Sequence, residues 1–100
     1  MANMIIVYWR DIPAQVVISA GRKKAKRQLS ERFQEAIDLA AMRSKAHETD
    51  IYLEEWRRSP PTECGDDLEA EADRVADELE KQFNNEDLDM IATNGGHTVG

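Results

Sequence analysis

Residues 4–20 read Met4-Ile5-Ile6-Val7-Tyr8-Trp9-Arg10-Asp11-Ile12-Pro13-Ala14-Gln15-Val16-Val17-Ile18-Ser19-Ala20. Two apolar runs rich in β-branched and aromatic residues flank Arg10–Ala14, a short polar loop with a proline, which is the pattern of a β-hairpin. Alternation along Met4–Trp9 gives Ile5, Val7 and Trp9 one face and Ile6, Tyr8 and Arg10 the other. Both faces are apolar over most of that length, so this strand reads as central. Pro13 lacks a donor and is expected in the loop, off a central ladder position. Gln15–Ala20 reads as the second strand, with Val16 and Ile18 toward a core and Val17 away from it. Gly21 ends it.

Downstream, Ala25, Leu29, Phe33, Ala36, Ile37 and Ala40 fall within about a third of a helix circumference, which predicts a first helix over 24–46. Lys26 lands on that apolar stripe, as a snorkelling side chain or a frayed first turn would. Residues 49–57 alternate as a third strand, with Ile51 and Leu53 on one face and Tyr52, Glu54 and Trp56 on the other. Pro60-Pro61 stops it. Asp66-Asp67 offers an N-cap with an acidic first turn suited to the helix dipole. A second helix follows, its stripe formed by Leu68, Ala72, Val75, Ala76, Leu79 and Phe83. Asn84-Asn85 is its stop. Residues 86–100 read as a disordered tail outside a single domain of residues 1–85.

The expected architecture is α+β, a two-layer sandwich in the order β-β-α-β-α. A right-handed crossover places strand three beside strand one, giving a three-stranded antiparallel sheet in the order 2-1-3 with both helices on one face. The helices then cover Ile5, Val7, Val16, Ile18, Ile51 and Leu53. The opposite face carries Tyr8, Arg10, Tyr52, Trp56 and Arg58, a composition common in contact surfaces. The plainer alternative is that these aromatics only shield the sheet beneath the tail.

One hundred residues support one modest core. No apolar run approaches the ~20 residues that span a bilayer. The first residues lack a basic n-region, so no secretory signal is expected. The single cysteine, Cys64, excludes an internal disulfide and a multi-cysteine zinc site, and the natural compartment is the cytoplasm. The net charge of −7 hides an asymmetry: residues 1–47 hold nine Lys/Arg against four Asp/Glu, residues 48–100 four against sixteen. Overall acidity argues against indiscriminate polyanion binding, while the basic half retains room for a local anion site.

Arg22, Lys23, Lys24 and Arg27 head that half and are candidate anion contacts, since cations at a helix start oppose its dipole unless an anion is present. A solvated basic segment beside an acidic helix is the alternative. His47 and His97 lack metal-ligand spacing, and neither metal nor cofactor is expected. Cys64 lies near a helix start, where thiols can acidify, but has no histidine partner at recognisable spacing. No Ser-His-Asp order or glycine-rich phosphate loop occurs.

At Ile6-Val7-Tyr8-Trp9-Arg10-Asp11-Ile12-Pro13-Ala14-Gln15-Val16, with Tyr52-Leu53-Glu54-Glu55-Trp56 and Pro60-Pro61, the chain resembles the small bacterial "virulence factor" domain family over residues 4–83. That family is related to a domain of conserved virulence factor C. The resemblance implies a cytoplasmic accessory module with a connection to folate and corrinoid one-carbon enzymes, and carries over no catalytic residues. Two functions are therefore expected to compete, beside a third in which the chain is an enzyme or accessory subunit of folate-linked methyl transfer. One is a non-catalytic interaction module that binds a protein partner, or a second copy, through the open sheet face. The other is a nucleic-acid-binding regulator that stacks single-stranded bases on that face. No membrane partner is expected.

Overall fold

The computed structural model describes residues 2–45 and 49–98; His47 lies outside them. The chain runs through β1 (Ala2–Trp9), β2 (Ile12–Ala20), β3 (Lys23–Gln28), α1 (Glu31–Arg43), α2 (Thr49–Glu54), β4 (Trp56–Arg58), β5 (Thr62–Cys64), α3 (Leu68–Gln82) and α4 (Asn85–Thr93). It is an α+β fold around an antiparallel sheet ordered β3-β2-β1, with β4 and β5 sharing the far edge of β1. The hairpin strand β1 is central, as its sequence implies. The strand after the first helix does reach its far side, but as two short pieces.

The β1–β2 connection is tighter than expected. Trp9 pairs with Ile12, which leaves only Arg10-Asp11 in the turn, and Arg10 takes a left-handed φ of 54°. Pro13 lies inside β2, buried opposite Tyr8, and the register shifts between Val7 and Tyr8 so that Ala14 has no partner. A bulge is where a strand tolerates a residue without a donor.

That bulge also resets the faces. Met4 pairs with Ile18 and Ile6 with Val16, so Met4 and Ile6 pack on the core, together with buried Ala2. Ile5 pairs with Val17 and Val7 with Gln15 on the opposite face, contrary to the expected phase. Beyond the shift, Trp9 is fully buried with Ile12.

The basic stretch after Gly21 is a strand, not a helix start. Gly21, at φ 60°, turns the chain back so that Lys23–Gln28 pair with Ala20–Gln15 along β2. Ala25 is buried opposite Ile18, while Lys24 and Lys26 point to the other face. The anomalous Lys26 is explained by a period of two rather than 3.6. Helix α1 begins only after Ser30, whose N–H and hydroxyl both donate to the Glu80 carboxylate, at 2.7 and 2.8 Å.

The predicted third strand is also revised. Residues 49–54 form the short helix α2, and Ile51 and Leu53 are 39 % and 61 % exposed instead of buried. Tyr52 and Trp56, four residues apart, pack together: the Tyr52 ring lies 5.7 Å from Trp9 and 5.9 Å from Trp56.

Helix α3 matches its predicted stripe, with Ala72, Val75 and Leu79 buried and Asp67 capping through the Ala70 N–H. Helices α1 and α3 cover Val16, Ile18 and Ala25. The residues expected to be a tail instead form α4, which packs on α1 through buried Leu88, Ile91 and Ala92. Asn84 and Asp87 cap it reciprocally. Its apolar spacing of three and four residues supplies one more helical stripe to the same core. Among the described residues, no helix is long and apolar enough to cross a membrane.

Candidate interaction face

The helices leave one face of the sheet uncovered among the described residues. The ladder registers arrange it in three transverse rows. The first runs Arg58, Val7, Gln15, Gln28; the second Ile5, Val17, Lys26; the third Glu63, Asn3, Ser19, Lys24. Side chains opposite one another in a ladder share a face and touch. Ile5, Val7 and Val17 therefore make a half-exposed apolar centre, with lysines along the β3 side and Arg58 along the β4 side.

Near Arg58 the surface dips into a concavity of about 410 Å³ lined by Val7, Gln15, Trp56, Arg57 and Arg58. Arg57 is held in place. Its guanidinium lies 4.6 Å over the Tyr8 ring, its Nε donates to the Arg10 carbonyl at 2.9 Å, and its Nη2 donates to Asp11 at 3.3 Å. A cation stacked on a tyrosine and paired with Asp11 at its far end gives the concavity a fixed wall. Arg58 has no carboxylate within 4.0 Å among the described residues.

The structure divides the five residues expected on the open face. Trp56 and Arg58 line the concavity, with Tyr8 beneath Arg57. Arg10 and Tyr52 are engaged elsewhere. The Arg10 side chain is 11 % exposed; it donates to the Gly95 carbonyl at 2.6 Å and to Glu55 at 3.3 Å, and stacks on Trp9. Tyr52 accepts the Trp9 indole N–H through its carbonyl at 2.9 Å.

The four candidate anion contacts divide likewise. Arg22, Lys23 and Lys24 are exposed at the β2–β3 turn and along β3. Arg27 faces the helices, where it donates to Glu69 and, at 2.6 Å, to Asp73 on α3. These hydrogen bonds, from Glu69 first and then Asp73, push its guanidinium pKa up, so Arg27 is occupied by the fold. Val17 points away from the core as its alternation implies, while Lys26, Arg57, Ile5 and Val7 join the site without having been singled out for it. The Gly21 turn followed by alternating Lys24-Ala25-Lys26 was the available signal for Lys26.

Burial, and after it the nearby Glu71 charge, pushes the Cys64 thiol up, the opposite of an activated thiolate. Cys64 lies in β5 opposite Ala2.

No curated protein and no solved structure matches the chain. A family model described as virulence factor matches residues 7–92, from the end of β1 through nearly all of α4. The span includes the hairpin turn, all of β2 and the helix that packs on α1, and the chain belongs to the virulence factor family.

Proposed function

We propose that this protein is a non-catalytic cytoplasmic interaction module that binds an acidic protein partner through the uncovered face of its sheet. The observation that supports this reading is the apolar Ile5, Val7 and Val17 centre, bounded by Lys24 and Lys26 on one side and by Arg58 on the other. An apolar centre with a charged rim is the anatomy of a protein contact, and the rim's sign selects the partner. Two copies of this face pressed together would set cations against cations, which disfavours a symmetric dimer through it. The one-carbon connection implied by the family resemblance makes folate- and corrinoid-dependent methyl-transfer enzymes the first partners to titrate.

The test compares the native chain with Lys26→Glu/Arg58→Glu, two exposed positions where substitution changes stability by within about 0.5 kcal/mol each. Partners recovered by crosslinking in cell extract are purified and titrated. The reading expects affinity to fall at least about tenfold in the variant and to weaken with added salt. Equal affinity of both proteins for every recovered partner overturns it. Labelled single-stranded RNA is titrated in parallel, and RNA binding lost in the same variant would replace the protein partner with a nucleic acid.

A further inference from the structure

The two edges of the sheet are unlike each other. Beyond β1 lie β4 and β5, three residues each, separated by a segment that contains Pro60 and Pro61. Short strands broken by prolines are poor templates for further pairing. The other edge is β3, six residues without proline or glycine, in unbroken register with β2 from Gln28 to Lys23. Among the described residues β3 pairs with β2 alone, and no backbone hydrogen bond reaches residues 23–28 from elsewhere. Half of its backbone donors and acceptors therefore face outward.

A regular edge of this kind needs a guard, and here the guard is charge, with the Arg27 guanidinium also donating to the outward Lys26 carbonyl at 2.8 Å. Lys23, Lys24 and Lys26 have no carboxylate within 4.0 Å among the described residues, while Arg27 is neutralised by α3. A second copy of β3 paired along this edge would bring lysines against lysines. An acidic strand meets the opposite: the feature that repels another copy attracts it.

We propose that β3 takes an added strand from an acidic extended segment of the partner, with Asp or Glu at alternate positions and an apolar residue between them. Lys24 and Lys26 stand on the open face and receive the two carboxylates. Buried Ala25, between them on the side covered by α3, receives the apolar residue. Main-chain hydrogen bonds supply affinity, and the alternating side chains supply choice. The added strand extends the sheet, so the remainder of the partner lies over Ile5, Val7 and Val17. This inference rests on the interaction-module reading and gives the partner's docking segment its form.

The probe is a synthetic peptide of about eight residues alternating Glu and Val, titrated into the full chain and followed by amide hydrogen exchange and methyl chemical shifts. Binding should slow exchange of the β3 amides at least about tenfold. Lys24→Glu/Lys26→Glu, shown to be folded by circular dichroism, should lose the peptide, and a Lys-Val peptide should not bind the native chain. Peptide binding that shifts the Ile5, Val7 and Val17 methyls but leaves β3 exchange unchanged overturns the added strand and keeps the face. No binding by about 1 mM peptide overturns the added strand, while the face is still judged by its own partner titration. Equal binding of the Lys-Val peptide overturns the role of the lysines.

Discussion

Arg10 Nη1 donates to the carbonyl of Gly95 at 2.6 Å, tying the first turn of the chain to the residues that follow its last helix. The neighbouring bonds run the same way. The Asp11 N–H donates to the Gly96 carbonyl at 2.8 Å, and the Thr98 N–H donates to Asp11 at 2.8 Å. Arg10 Nε is buried without an acceptor among the described residues, which offsets part of the gain. Arg10→Ala should cost about 1–3 kcal/mol, read as a lower denaturant midpoint at unchanged slope. Native stability in that variant would show that the turn and the C-terminal segment are held by the other bonds alone.

Gly96 and Gly21 separate backbone strain from crowding. Both have positive φ, 93° and 60°. A Cβ at Gly96 would lie 3.0 Å from Trp9 Cζ3 and 3.1 Å from Arg10 Cδ, whereas one at Gly21 would meet nothing within 4 Å. Gly21→Ala should cost about 1–2 kcal/mol from conformation alone. Gly96→Ala should cost distinctly more, because rigid neighbours must also move. Equal thermal midpoints for the two variants would remove the steric part of this account.

Helix α4 is part of the core. Leu88→Ala and Leu79→Ala, at two nearly buried sites on different helices, should each cost about 2–5 kcal/mol. At this chain length each kcal/mol lowers the melting temperature by roughly 4–8 °C. Removing residues 85–98 should abolish cooperative unfolding, since it uncovers the α1 surface that α4 packs on. A truncated chain that melts like the full one would show α4 to be dispensable.

Two carboxylates make stability fall in acid. Hydrogen bonds from the Thr98 backbone, the largest influence, hold Asp11 below its usual 3.8 despite partial burial. At Glu80 burial pushes upward most strongly, but the Ser30 N–H and hydroxyl and the Arg32 guanidinium together bring it below its usual 4.5. A depressed folded pKa contributes stability above the unfolded value that is lost as pH falls through the folded one. The urea midpoint should therefore hold between neutral pH and about pH 5.5, then fall below about pH 4.5. Glu80→Gln should lower the neutral plateau and flatten that fall; a wild-type slope in the variant would remove Glu80 from the account.

The sequence shows the hairpin, its Gly21 stop and the stripes of α1 and α3, because each has one dominant period. It conceals β3, since four of six side chains there are cations and only Ala25 marks the buried face. It misleads over 49–57, where Ile51 and Leu53 alternate like a strand while Tyr52 and Trp56 share a helical spacing. The open face suffers from a single phase error. Pro13 is taken as a loop residue when it sits at a bulge, so Val7 and Ile5 are assigned to the core and Ile6 to the surface. Trp56 and Arg58 are expected on the open face and line its concavity, while Ile5 and Val7 join Val17 there only through the ladder register.

The joining of the Arg10-Asp11 turn to Gly95 and Gly96 has a bearing on synthesis. Trp9, which lies beneath Gly96, is made well before the residues that cover it. At about 5–20 residues per second, the hairpin must wait several seconds for the segment that closes over it. During that interval its indole and the apolar strands beside it are open to chaperones and to neighbouring nascent chains. A chain that stalls within α4 keeps that surface open and is the form that quality control should recognise.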